Sequence, residues 1–109
     1  MIHTDNFKCG LLGEHLSHSF SPQIHALLAD YEYKLYEMPE NEVGAFLKSC
    51  PLDAMNVTIP YKKTVMPFLD FISDEAQKIG SVNTIVKKDG LLYGYNTDYY
   101  GFMHMIKSS

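Results

Sequence analysis

Apolar residues along this chain fall into two patterns that alternate, namely short compact runs and helical repeats. Compact runs bounded by turn residues predict strands. Repeats with apolar positions three and four residues apart predict the buried face of a helix. Alternation of the two patterns is typical of an α/β domain. The predicted strands cover 8–12, 33–38, 53–59, 81–88 and 91–96.

Proline residues mark the limits of the first two predicted helices. Ser21 and Pro22 form a helix start, with a serine cap and a proline in the first turn. A second helix begins after Pro39 and stops at Pro51. The apolar face of the first helix consists of Ile24, Leu27, Leu28 and Tyr31.

Three further helical segments are predicted in the second half of the chain. The apolar spacing over 65–72 predicts a helix that is broken or kinked at Pro67. Ser73 begins a short helix that ends at Gly80, and Asp98 begins a last one.

The order of these elements predicts the fold class. The early strand-helix-strand crossovers favour parallel pairing, with helices on both faces of the sheet. Asp89-Gly90 is a strong signal for a two-residue hairpin, which adds an antiparallel strand. We therefore expect a three-layer α/β/α fold with a mostly parallel mixed sheet that contains one antiparallel strand.

Composition and charge narrow the classes of partner. The 109 residues suffice for one domain with a real core. Nine basic against thirteen acidic side chains give a net charge of −4, so neither a nucleic-acid footprint nor a polybasic membrane patch is indicated. The apolar runs are too short to span a bilayer, and residues 1–7 do not resemble a secretory signal. Two cysteines without a CxxC spacing favour a reduced, cytoplasmic protein.

Polar residues collect where predicted strands end, which is where ligands bind in open α/β sheets. Ser19 and Ser21 lie at a predicted helix start, where hydroxyl and free N–H groups suit a carboxylate or phosphate. Asn56, Thr58 and Lys62 follow the third strand, and a lysine there can act as a general acid or base. Plain alternatives remain, because Ser21 can be only a helix cap and Lys62 only a surface lysine.

Asn83 and Asp98 lie in two further polar segments, 81–84 and 96–98, at the two ends of the predicted hairpin. Each also has an ordinary interpretation, as a turn residue or a helix cap. The convergence of three separated segments on one edge of the sheet favours a binding crevice. The histidines lack metal-ligand spacing, so we predict no metal site. The sequence contains neither of the two glycine-rich nucleotide-binding motifs, GxGxxG and GxxxxGK(S/T). We therefore predict no cofactor-binding residues on this chain.

Four ordered segments resemble the shikimate dehydrogenases. They are 13–25, with His-Ser-Phe-Ser-Pro at 18–22; 56–62, Asn-Val-Thr-Ile-Pro-Tyr-Lys; 79–84, Ile-Gly-Ser-Val-Asn-Thr; and 94–98, Gly-Tyr-Asn-Thr-Asp. One such segment would be weak, but four in order are highly specific and cover most of the chain. Ser81 departs from the family, which most often has alanine there, and Tyr61 is one variant at an aromatic position.

The resemblance implies a role for each matching residue. Ser19 and Ser21 would bind the substrate carboxylate. The residues implied to bind ring hydroxyls are Thr58, Asn83 and Asp98. Lys62 would contact the substrate as well, exchanging the proton at the reacting oxygen with Asp98 as its partner.

The resemblance also implies an activity, the NADPH-dependent, reversible reduction of 3-dehydroshikimate to shikimate in aromatic amino-acid biosynthesis. Residues 1–109 would be the N-terminal substrate-binding domain, and a C-terminal domain absent from this chain would bind NADP. We therefore expect the chain to be inactive by itself. We also expect it to self-associate through the apolar face that would meet the second domain. Preference for NAD or NADP stays open.

Other functions are compatible with the same residues. A non-catalytic module could bind shikimate or a similar polyol acid, and a dehydrogenase of broader specificity could also accept quinate. A plain interaction domain would use the motif residues as caps and turns, with Lys62 and Asp98 far apart. The enzyme hypothesis predicts that Lys62 and Asp98 approach directly or through a water. It also predicts that one crevice is lined by Ser19, Thr58, Asn83 and Asp98.

Overall fold

The fold is a six-stranded mixed sheet in a computed structural model that describes residues 8–14, 16, 32–97, 101 and 104. The order within those residues is β2-β1-β3-β5-β6-β4. The strands are β1 (Lys8–Gly13), β2 (Glu32–Glu37), β3 (Ala54–Val57), β4 (Phe71–Ile72), β5 (Thr84–Lys88) and β6 (Leu91–Tyr95).

Strand direction follows from the pairing. β1 pairs in parallel with β2 and β3, and β4 pairs in parallel with β6. β5 is antiparallel to both of its neighbours, β3 and β6. The predicted α/β fold, with a mostly parallel sheet containing one antiparallel strand, is confirmed.

The hairpin between β5 and β6 forms as the sequence predicts. Asp89 and Gly90 have φ angles of 55° and 79°. A two-residue turn that matches strand twist needs positive φ at both central positions, which aspartate tolerates and glycine adopts freely.

Two helices have the limits that their end residues indicate. Helix α1 (Glu40–Lys48) has acidic residues in its first turn and Lys48 in its last, which complements the helix dipole. Helix α2 (Asp74–Ile79) begins after Ser73, whose hydroxyl accepts a hydrogen bond from the Ala76 N–H at 3.2 Å. It ends at Gly80, in the left-handed conformation with φ of 80°. Both predicted helices are confirmed.

The segment 65–72 is not the kinked helix that its apolar spacing predicts. Only Met66–Phe68 forms a single 3₁₀ turn, and Phe71–Ile72 becomes strand β4. Pro67 lacks an N–H for a helical ladder. The backbone beyond it pairs with β6 instead, where the Asp70 N–H donates to the Leu92 carbonyl at 2.9 Å. The helices predicted from Ser21 and from Asp98 begin outside the described residues.

The core lies between one face of the sheet and the described helices. Its members include Leu12, Val43, Leu47, Met55, Tyr61, Val65, Ala76, Val82 and Ile85. Along β1 and β3 the other face is buried too, through Cys9, Leu11 and Ala54. Burial on both faces is what a three-layer arrangement requires. In the part of the chain described, no helix has the length and apolar character to cross a membrane.

Candidate active site at the carboxyl end of the sheet

Strand order brings separate polar segments to one edge of the sheet. β3 ends at Val57, and the antiparallel β5 begins beside it at Thr84. The Val57 N–H donates to the Asn83 carbonyl at 2.8 Å, and the Asn83 N–H donates to the Tyr95 carbonyl at 3.0 Å. The Thr58 N–H donates to the Leu12 carbonyl at 3.0 Å. Segments that are far apart in sequence are therefore hydrogen-bonded to one another here. The sequence analysis predicted such a meeting at the carboxyl ends of the strands.

Backbone bonds fix the turn that carries Lys62. The Tyr61 N–H donates to the Thr58 carbonyl at 3.0 Å, across a cis Ile59-Pro60 peptide bond. The Tyr61 side chain is buried, and its hydroxyl donates to the Met38 carbonyl at 2.7 Å. The Val82 N–H donates to the Lys62 carbonyl at 2.8 Å. The lysine backbone is thus held on both sides.

The Lys62 side chain is half-buried at this edge. Within the described ranges, neither a hydrogen bond nor an ion pair engages its ammonium. Its three donors are therefore available, as far as these residues go, to a ligand or to a residue elsewhere in the chain.

Gly13 allows the end of β1 to lie against the site. A Cβ atom at this position would lie 2.6 Å from both the Leu16 Cδ2 and the Thr58 Cγ2 atoms. Glu37, its register partner on β2, accepts a hydrogen bond from the Leu16 N–H at 2.9 Å. The chain leaving β1 is therefore anchored beside Thr58 just before the segment that contains Ser19.

Thr97 and Thr84 together use three of the four hydrogen-bonding sites of the Asn83 side chain. Its Nδ2 donates to the Thr97 carbonyl at 2.6 Å, and its Oδ1 accepts from the Thr97 N–H at 2.8 Å. The same Oδ1 also accepts from the Thr84 hydroxyl at 3.0 Å. Among the described residues, the second N–H of the amide has no partner.

Two residues of the polar segments 81–84 and 96–98, to which the sequence analysis gave no individual role, support this edge. Thr84 is fully buried, and its hydroxyl bonds both Asn83 and the Thr97 hydroxyl, the latter at 2.9 Å. Asn96 donates from Nδ2 to the Ser81 carbonyl at 3.0 Å and to its hydroxyl at 3.2 Å. The sequence feature that could have indicated a role for Thr84 is its hydroxyl at the start of an apolar strand, directly after the candidate residue Asn83.

Asn56 is also committed to a protein partner. Its Oδ1 accepts a hydrogen bond from the Tyr33 hydroxyl at 2.9 Å. Burial raises the pKa of Tyr33, with a smaller contribution from Cys9, so the phenol stays protonated and remains a donor. This bond fixes the orientation of the Asn56 amide at the edge through its Oδ1 atom.

The structure thus brings Thr58, Lys62 and Asn83 to one edge of the sheet. Ser19, Ser21 and Asp98 lie outside the described residues, so their roles and the approach of Lys62 to Asp98 stay predictions. The chain does hold Thr97, the residue before Asp98, in a defined position.

A cavity of about 400 Å³ lies away from these residues, at the opposite end of the sheet. Residues of α1, of strands and of the segments between them line it, including Lys48, Cys50, Asp70 and Lys87. The Lys87 ammonium is occupied there by the Cys50 carbonyl at 2.9 Å. Among the described side chains, no group of three histidine, cysteine, aspartate or glutamate residues could hold a metal ion.

Comparison with known proteins places the site in a family. The family model for the shikimate dehydrogenase substrate binding domain matches residues 11–85. The match contains Thr58, Lys62 and Asn83. This chain belongs to that family. The resemblance carried by the four motifs is therefore confirmed.

Similar proteins include the NADP(+) shikimate dehydrogenase of Clostridium beijerinckii, which is 56% identical over 101 aligned positions. That alignment covers 85% of this chain and 37% of the relative. A Clostridium perfringens shikimate dehydrogenase (NADP(+)) is 50% identical, over 90% of this chain and 39% of its own length. The chain spans about two fifths of the length of these family members.

Solved structures of family members share the fold. Shikimate dehydrogenase 1 from Peptoclostridium difficile superposes with a TM-score of 0.70 at 45% identity, covering 92% of this chain and 40% of that one. The Thermus thermophilus shikimate 5-dehydrogenase, solved in complex with shikimate, gives a TM-score of 0.76 at 34% identity. That match covers 94% of this chain and 42% of the other.

Proposed function

We propose that this chain binds shikimate and 3-dehydroshikimate as the substrate-binding domain, residues 1–109, of an NADP-dependent shikimate dehydrogenase. The observation that carries the proposal is the meeting of Thr58, Lys62 and Asn83 at one sheet edge, inside the segment that matches the family. The complex of the Thermus thermophilus relative with shikimate supports the choice of ligand.

The substrate is a carboxylate with several ring hydroxyls, and it needs many fixed hydrogen-bond partners. Ser19 and Ser21 bind its carboxylate in this proposal. Thr58 and the remaining N–H of Asn83 bind ring hydroxyls, together with Asp98. The preformed bonds of the Asn83 amide support this role, because they leave one donor directed by an otherwise fixed side chain.

Lys62 is the proposed proton donor. When a hydride adds to the carbonyl carbon of 3-dehydroshikimate, negative charge develops on the oxygen, and the Lys62 ammonium supplies the proton that makes the new hydroxyl. In the reverse direction the neutral amine takes that proton as the hydride leaves. Asp98 holds and orients the ammonium. The free donors of Lys62 among the described residues support this assignment.

NADPH supplies the hydride, and we propose that it is bound outside residues 1–109. The sequence contains neither glycine-rich nucleotide motif, and the strand order β2-β1-β3-β5-β6-β4 differs from the 3-2-1-4-5-6 order of dinucleotide-binding folds. Both observations support a cofactor site outside residues 1–109. We propose that the chain alone is inactive and that the complete enzyme is cytoplasmic.

The same edge is the proposed surface for contact with the NADP-binding part of the protein. Ile59, in the turn between Thr58 and Lys62, is 75% exposed, and it would belong to this surface. An apolar patch left uncovered there would promote association, so the isolated chain self-associates here in our proposal.

Two measurements test the proposed function. First, shikimate is titrated into the chain while the amide NMR signals are followed. We expect saturable shifts at Thr58, Asn83 and Thr97 that weaken in Asp98→Ala. An absence of saturable shifts up to the solubility limit would contradict substrate binding by this chain.

The second measurement tests catalysis. The chain is joined to the part of the Clostridium beijerinckii relative that lies outside the match, and NADPH formation from shikimate is measured. We expect activity from this fusion and none from the chain alone. Shikimate-dependent NADPH formation by the purified chain would overturn the assignment of NADP to another domain.

A further inference from the structure

Thr84 carries a buried hydroxyl that the proposed chemistry does not use. The residue begins β5 and is fully buried. A hydroxyl taken out of water costs free energy unless it is hydrogen-bonded. Both partners of this hydroxyl, Asn83 Oδ1 at 3.0 Å and the Thr97 hydroxyl at 2.9 Å, belong to the candidate site.

These bonds complete the attachment of Thr97. Beyond the end of β6 at Tyr95, the backbone has left the sheet ladder. Asn83 nevertheless binds both the N–H and the carbonyl of Thr97, and Thr84 binds its hydroxyl. All three polar groups of Thr97 are therefore held by two adjacent residues.

The bond to the Thr97 carbonyl holds the peptide group at the end of the described segment. Asn83 Nδ2 donates to this carbonyl at 2.6 Å. Because a peptide group is planar, a bond to its carbonyl restricts the orientation of the whole group.

The same short segment also holds Lys62. Val82, two residues before Thr84, donates its N–H to the Lys62 carbonyl at 2.8 Å. Residues 82–84 thus bind the backbone carbonyl of Lys62 and also the three polar groups of Thr97.

We propose that Thr84 is a positioning residue, whose buried hydroxyl keeps Asn83 and Thr97 in the arrangement that places Asp98 relative to Lys62. This inference rests on the proposed function. Thr84 acts through Asn83 and Thr97 and makes no contact with substrate.

The test is a double-mutant cycle on shikimate affinity, using the 109-residue chain. Thr84→Val keeps the side-chain shape but removes the hydroxyl. Thr84→Ser keeps the hydroxyl. We expect Thr84→Val to weaken shikimate binding about tenfold, because Asn83 and Thr97 each lose a buried partner, and Thr84→Ser to stay within about twofold of wild type.

The decisive comparison is made in the Asp98→Ala background. If Thr84 acts by placing Asp98, Thr84→Val causes no further loss there, so the two changes are not additive. Thr97→Val removes the hydroxyl partner from the other side and should show the same coupling. It also serves as the second variant if Thr84→Val does not fold.

The outcomes separate this inference from the proposed function. Additive effects of Thr84→Val and Asp98→Ala would overturn the positioning role and indicate general support of the fold. Wild-type affinity in Thr84→Val would also overturn it. A wild-type chain without measurable shikimate binding would contradict the proposed function, and the inference would fall with it.

Discussion

The two ends of the sheet use their polar side chains in opposite ways. At the end with the cavity of about 400 Å³, charged groups are bound to backbone: Lys87 to the Cys50 carbonyl, and Asp70 to the Leu92 N–H at 2.8 Å. Each of these charged groups stabilises a connection between a strand and the segment beside it.

At the carboxyl end most side-chain bonds to the backbone come from neutral groups instead. Asn83 and Thr84 bind Thr97, and Asn96 binds Ser81, whereas Glu37 is a charged group that accepts from the Leu16 N–H. The Lys62 ammonium has no bond with any described residue. The proposed site is therefore not at the end with the cavity. It is at the end where a lysine ammonium without a partner among the described residues lies beside hydrogen-bonded neutral side chains.

The largest expected effect on activity comes from a substitution of Lys62. In the fusion with the NADP-binding part, Lys62→Met should lower kcat by roughly 100- to 10,000-fold, because the proton donor is lost. Lys63→Met, a change at the adjacent exposed lysine, is the matched control and should leave kcat within about twofold. Equal losses in both variants, measured by steady-state NADPH formation, would remove Lys62 from its catalytic role.

Gly13→Ala should perturb the carboxyl end sterically. The new Cβ meets Leu16 and Thr58 at 2.6 Å, so we expect a loss of about 1–3 kcal/mol in unfolding free energy together with weaker shikimate binding. Gly44→Ala is the control, since the nearest atoms to its Cβ belong to the ring of Phe68, which is 40% exposed and can move. Urea unfolding and shikimate titration measure both effects. Unchanged affinity in Gly13→Ala would mean that Thr58 is not a ligand group.

Lys87→Met tests the opposite end. Removal of the ammonium leaves the Cys50 carbonyl without this donor, so unfolding free energy should fall by roughly 0.5–1.5 kcal/mol while shikimate affinity stays the same. Lys88→Met, next to it and exposed, should change neither quantity. If Lys87→Met weakened shikimate binding, the division between the two ends would be wrong.

Ser81→Ala should have the smallest effect. Asn96 loses its 3.2 Å bond to the Ser81 hydroxyl but keeps the 3.0 Å bond to the carbonyl, so the change in stability should stay within about 0.5 kcal/mol. Shikimate affinity should also stay close to that of wild type. A large loss of stability or of shikimate affinity would contradict this prediction. It would mean that this chain depends on Ser81 at a position where the family most often has alanine.

The sequence by itself determined the elements whose ends carry specific backbone chemistry. Asp89-Gly90 forms the hairpin turn, and Ser73 and Gly80 begin and end α2. The polar segments that contain Thr58, Lys62 and Asn83 were also predicted to meet at one edge, and all three residues lie within the segment that matches the family.

Tertiary structure decided what depends on neighbours remote in sequence. The apolar spacing of 65–72 predicts a helix, but Phe71–Ile72 pairs with β6 instead. Pro67 has no N–H to donate within a helix, whereas the edge of the sheet offers hydrogen-bond partners to the backbone that follows it. The bonds of Thr84 to Thr97 exist only because β5 and β6 are adjacent. Local patterns set which elements form, whereas the partner of a buried hydroxyl is set by strand order, which no short stretch of sequence encodes.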